Sequence, residues 1–118
     1  MHKLFLIIGL VFGCATLAQA HAFLDHAEPK VGSTVPASPF VVKIWFTEDL
    51  EGPSGKIQVF DAKGMEVDQK DIKVSGATMT VSVPTLGAGT YKVVWSVVCL
   101  CQCHHQTTGA FTFEVASP

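Results

Sequence analysis

The sequence predicts an all-β domain, an antiparallel sandwich with Greek-key connections. Short runs rich in Val, Ile, Phe, Thr and Trp recur from His21 onward, and Gly and Pro cut them at close intervals. No stretch carries a helical apolar period with capping residues at its ends.

The strands follow in order. In residues 40–46 the even positions Phe40, Val42, Ile44 and Phe46 make an unbroken apolar face, the signature of a half-buried strand. Residues 56–60 alternate polar and apolar. Asp61-Ala62-Lys63-Gly64 then reads as a turn into a short strand near 65–67. Residues 79–83 alternate again until Pro84 stops them. Residues 91–98 are a long β-branched run, and residues 110–115 give a last strand through Phe111, Phe113 and Val115. Turn signals fall at residues 36–39, 52–55, 76 and 87–89. No internal repeat, linker or low-complexity segment interrupts a single domain.

Residues 1–20 have the form of an export signal. His2 and Lys3 open it, residues 4–13 are apolar, and Ala18-Gln19-Ala20 is a small-x-small cleavage site. The apolar run falls short of the ~20 residues that span a bilayer, which argues against a retained anchor. Lipid attachment at Cys14 is a rival, poorly served by the bulky Phe12 before it. Cleavage after Ala20 would make His21 the N-terminus of an exported domain, residues 21–118, with no stable membrane insertion expected. That domain carries seven Lys, no Arg and ten carboxylates, a formal charge of −3. It has no basic footprint for nucleic acid. It also lacks a phosphate-cradling glycine loop and a nucleophile elbow, and a chain this size buries one modest core.

One segment stands apart. Cys99, Cys101, Cys103, His104 and His105 lie within seven residues, and the only other cysteine is Cys14. An exported protein normally uses cysteines as staples. Alternate positions on one extended strand, however, are ~6.5–7 Å apart, at or beyond the usual Cα separation of a disulfide. So short a bridge would also remove little chain entropy. A structural disulfide is on these grounds the weaker explanation. The odd positions from Tyr91 to Cys103 would share one face if the strand continued, so buried, core-filling cysteine is the plainest alternative, above all for Cys99.

Thiolate and imidazole suit soft and borderline metals. Structural zinc wants four protein ligands, usually as two separated pairs, and one compact CxCxCHH segment lacks the second pair. Copper fits at least as well, particularly Cu(I), which favours thiolates. The mature N-terminus would supply the missing donors, because its amine and the imidazole of His21 can close a chelate ring on one ion. An amine with a pKa of ~8 gives up its proton readily to a competing metal. His26 is a secondary candidate, although on an alternating strand it could not face the same way as His21.

These residues resemble a known family. His21-Ala22-Phe23-Leu24, the Ala27-Glu28-Pro29-Lys30-Val31-Gly32 stretch and the strand from Val42 to Glu48 are similar to the opening of the CopC family of periplasmic copper-binding proteins. The run from Leu86 through Tyr91, Val93 and Trp95 to Val98, and His105 followed by Gly109, Phe111, Phe113 and Val115, resemble its later segments. The resemblance covers essentially all of the mature chain. It implies a seven-stranded antiparallel Greek-key β-sandwich, immunoglobulin-like or cupredoxin-like, that binds Cu(II) through a histidine brace. Carried over, the amine and ring of His21 match two donors of the brace and His105 matches its distal histidine. Where the family has an Asp two residues before that histidine, this chain has Cys103; Cys99 replaces a Ser, and the loop is two residues longer. Those departures fall on the metal site, so a preference shifted toward Cu(I) is expected. Met65 and Met79 are too few for the methionine-rich loop of some members.

The expected metal ligands are therefore His21, Cys103, His105, Cys101, Cys99 and His104, and the cargo is copper as Cu(II), Cu(I) or both. The expected function is that of a copper chaperone or carrier in copper homeostasis or resistance, not an enzyme. Its expected partner is an inner-membrane copper transporter of the CopD type. A copper electron-transfer module using Cys103, His105 and His21 is the alternative. A copper monooxygenase acting on polysaccharides, which also uses an N-terminal histidine brace, is disfavoured by the small domain and by thiols its own oxidants would attack.

Overall fold

The structure, a computed structural model, describes residues 22–100 and 105–117. Among these residues eight strands form two four-stranded sheets. In one, β1 (Leu24–Glu28), β3 (Val41–Phe46), β6 (Thr78–Ser82) and β5 (Lys73–Ser75) lie side by side in that order. In the other the order is β2 (Thr34–Val35), β8 (Gln106–Val115), β7 (Gly89–Val98) and β4 (Lys56–Phe60). Every pairing is antiparallel except β2 with β8. The chain crosses between the sheets at each step from β1 to β5 and again from β6 to β7, while β5–β6 and β7–β8 pair within one sheet, connections compatible with a Greek-key sandwich. Among the described residues no helix is long and apolar enough to cross a membrane.

Alternation decides which side chains enter the core. Val42, Ile44 and Phe46 of β3, with Met79 and Val81 beside them on β6, share one core with Ile57 and Val59 of β4 and the odd residues of β7 from the other sheet, all buried. Burial of one such side chain contributes about 1.5–3 kcal/mol. Two expectations need correction here. Phe40 is 79% exposed, because it stands in the turn before β3 and only its carbonyl is used, by the Val83 amide at 2.9 Å. Residues 65–67 form a single bridge, Phe60 to Glu66, and not a strand. Three strands are missing from those the sequence lists: β2 and β5 have two and three residues, too few for alternation to register, and β1 carries a bulge that breaks its alternation.

The long β7–β8 hairpin is the spine of the domain, with an unbroken register from Gly89↔Val115 to Val98↔Gln106. Trp95 lies across it. Its ring meets Phe46 edge-on, 5.0 Å between centroids, and covers Gly109 opposite, where a Cβ would come within 2.4 Å of Trp95 Cζ2. Only glycine leaves room for that indole. At the other end the Tyr91 hydroxyl donates to Gly87 O at 2.7 Å and fixes the entry to β7.

Candidate metal site

The hairpin register fixes where its functional residues sit. One step past Val98↔Gln106, the Cys99 amide donates to His105 O at 3.4 Å, so Cys99 and His105 face each other at the mouth of the connection. His105 is exposed, while Cys99 is fully buried among the core residues. The odd-numbered run Tyr91, Val93, Trp95, Val97, Cys99 is buried throughout, as the strand period predicts.

Cys99 is disulfide-bonded, and its partner lies outside the described residues. This corrects two expectations. The disulfide is present, and Cys99, bonded through its sulfur and buried, is not a thiolate ligand in this state. The spacing argument assumed that the chain runs on extended through the cysteines. Instead β7 stops at Val98 and the chain bends at Leu100, so the separation of alternate strand positions does not apply.

A crossing segment braces the mouth of the hairpin. Residues 47–51 pass from β3 toward the other sheet, with Leu50 bridging Cys99. The Leu100 amide donates to Asp49 O at 2.9 Å, and the Glu51 amide to Val98 O at 2.8 Å. The Leu50 amide donates to Gly76 O at 2.9 Å, which adds the β5–β6 turn to the same end of the sandwich. Cys99 and His105 are thus anchored by backbone bonds to segments far away in sequence.

The start of the described chain arrives at the same place. Ala22 is buried, and its carbonyl accepts a hydrogen bond from Thr107 Oγ1 at 2.5 Å, two residues beyond His105. On the other side the Phe23 amide donates to Thr47 Oγ1 at 3.0 Å, and the Thr47 amide returns to Phe23 O at 2.9 Å. The peptide units just after His21 therefore lie between the two sheets at the His105 end. Of the predicted ligands, His21, Cys101, Cys103 and His104 lie outside the described residues. Among the described residues no group of three His, Cys, Asp or Glu side chains could hold a metal ion.

His26 goes elsewhere. A bulge between Leu24 and His26 puts an extra residue into β1, so the parity argument that set His26 against His21 does not hold. The ring stacks on Trp45 at 4.3 Å, with planes 11° apart. Its Nδ1 lies 2.9 Å from Asp25 Oδ2, and Lys43 Nζ lies 4.7 Å from the centre of the Trp45 ring. His26 belongs to a surface stack on the outer face of its sheet. The residues sequence reasoning missed are Thr47 and Thr107. Nothing in their neighbourhoods distinguishes them from ordinary strand-end threonines.

Comparison with known proteins identifies the family and the fold. Residues 24–116 match the family model described as the CopC domain. Copper resistance protein C of Escherichia coli is 33% identical, over 98% of this chain and 97% of its own. Protein YobA of Escherichia coli K12 is 35% identical, over 81% of this chain and 79% of its own. Among solved structures, CopC from Methylosinus trichosporium OB3b superposes with a TM-score of 0.70 at 30% identity, covering 82% of this chain and 95% of that one. PcoC from Escherichia coli, described as a methionine-rich copper resistance protein, also gives 0.70, at 28% identity, covering 81% of this chain and 99% of that one. With the sandwich, its strand pairing and the sequence match all in agreement, the chain belongs to the CopC family of copper resistance proteins.

Proposed function

We propose that this protein is an exported copper carrier whose ion is held jointly by the two ends of the mature chain. Cleavage after Ala20 frees the amine of His21, which chelates copper together with its own imidazole, and His105 supplies a third nitrogen. His104 is a further donor, together with whichever of Cys101 and Cys103 is not bonded to Cys99, and that one sulfur shifts the site toward Cu(I). Cys99 is left out of the set. The protein works in the periplasm and passes copper to or from an inner-membrane transporter of the CopD type, binding the ion without transforming a substrate.

The observation that carries this reading is the hydrogen bond from Thr107 to Ala22, which ties the residue after His21 to the strand that follows His105. Family membership supports copper as the cargo. The test is to export the full chain from a Gram-negative host and measure its mass and metal content. The reading expects a chain beginning at His21 with about one copper per molecule, lost on His21→Ala. A mature chain that begins elsewhere, or copper retained by His21→Ala, would refute it.

A further inference from the structure

The segment leading into β1 has no strand ladder of its own, since β1 begins at Leu24. The first residues of a domain fray unless something ties them down. Here two threonine hydroxyls do so, one from each sheet. Thr107, from β8, donates to the Ala22 carbonyl, and Thr47, just past the end of β3, accepts from the Phe23 amide. With the Thr47 amide on Phe23 O, three of the four backbone polar groups of residues 22 and 23 are held. Ala22 is 1% exposed, so water has no access to replace the Thr107 hydroxyl. Thr107 is cross-strand from the fully buried Val97, where a valine would fill the same space. The hydroxyl adds the bond to the Ala22 carbonyl rather than volume.

We infer that Thr107 and Thr47 are positioning residues for copper: they form a clamp that holds the amine and imidazole of His21 within reach of His105. The inference rests on the proposed two-ended site. A chelate that includes a chain terminus binds tightly only if that terminus is already in place, because otherwise binding must also order it. The clamp therefore acts on Cu(II) held by the nitrogen donors and affects Cu(I), which favours sulfur, much less.

The experiment uses the mature protein with its native His21 terminus and compares Thr107→Val, Thr107→Ser and Thr47→Val. Affinities for Cu(II) and Cu(I) are measured by chelator competition, and backbone hydrogen exchange at Phe23 is measured without metal. Thr107→Val should lose about tenfold in Cu(II) affinity, the effect of one buried unpaired carbonyl, with Cu(I) affinity within about twofold. Thr107→Ser should restore it, and Phe23 should exchange faster in Thr107→Val. Thr47→Val, at a more exposed position, should lose about threefold and gives a second reading if Thr107→Val folds poorly. Wild-type Cu(II) affinity in both valine variants, or equal loss of Cu(I) and Cu(II), overturns the clamp. A glycine added ahead of His21 tests the underlying site separately. If it abolishes Cu(II) binding while the valine variants bind normally, only the clamp is wrong; if it changes nothing, the two-ended site is wrong as well.

Discussion

Two connections in this sandwich are closed in opposite ways. The turn at residues 61–65 is self-sufficient: Asp61 Oδ1 accepts from the Lys63 and Met65 amides, each at 2.9 Å. The Asp61 amide donates to Met65 O, and Gly64, at φ +83°, donates to Asp61 O at 3.0 Å. The mouth of the β7–β8 hairpin relies on distant chain instead. Leu100 is held by Asp49, Val98 by Glu51, Cys99 by Leu50 and His105, and the nearby Thr107 by Ala22. A turn that satisfies its own backbone needs nothing from the rest of the fold. An end that gathers residues 22, 47–51, 76, 98–100, 105 and 107 exists only when the whole sandwich has formed. A site shared between two distant parts of the chain has to be built in the second way.

The largest effect should come from the spine that supports the gathered end. Gly109→Ala drives a methyl group into the Trp95 ring and should cost about 3 kcal/mol. Thermal unfolding would show it as a midpoint lower by more than 10 °C, roughly, for a domain of this size. A shift of a degree or two would mean that Trp95 moves aside freely.

Cys99→Ala comes next. It removes a buried disulfide half and leaves a small cavity, so stability should fall by about 2 kcal/mol. One Cu(II) should still bind per chain, because the proposed ligand set does not include Cys99. Loss of the metal in a folded Cys99→Ala protein would restore Cys99 to the ligand set.

The self-contained turn should yield less. Asp61→Ala removes the acceptor for two exposed amides and should cost about 1 kcal/mol, read by denaturant unfolding, with no change in copper affinity. Coupling between this turn and copper would mean that the two ends of the sandwich are not independent.

The smallest effect concerns acid. The Ser82 hydroxyl and amide beside Asp71 hold its carboxyl below the usual value of 3.8. A folded-state pKa that is lowered contributes stability above pH ~4, and that contribution disappears as pH falls through the depressed value. Asp71→Asn should therefore unfold slightly more easily at pH 7 and show a shallower loss on acidification below pH ~4, measured by melting across that range. Identical acid profiles for the two proteins would remove Asp71 from the account.

The parts of the fold visible in the sequence are those governed by local alternation. Strands β3, β4, β6 and β7 and the turn at Asp61 follow from residues within reach of one another, and their edges fall within about two residues of expectation. β8 starts at Gln106, earlier than its apolar residues suggest, because its first half pairs with β7 through Thr, Gln and Gly. Phe40 misled because alternation does not reveal where a strand begins. The bulge in β1 is likewise invisible, and it undid a parity argument about His26. At the metal site the ligand types stood out as an unusual cluster. The state of Cys99 did not, because it depends on where the chain stops being extended. Thr47 and Thr107 escaped notice because their role is defined by a backbone segment 24 and 85 residues away.

The proposal on which the rest depends is that a copper ion is gripped by a bare terminus and a loop from the far end of the chain. Cu(II) affinity should be compared directly between the exported protein beginning at His21 and the same protein with its terminal amine acetylated. This account predicts about one tightly bound Cu(II) for the free amine and a loss of at least a hundredfold once it is blocked, a chelate donor being worth roughly 3 kcal/mol. Equal affinity in the two proteins would show that the terminus takes no part.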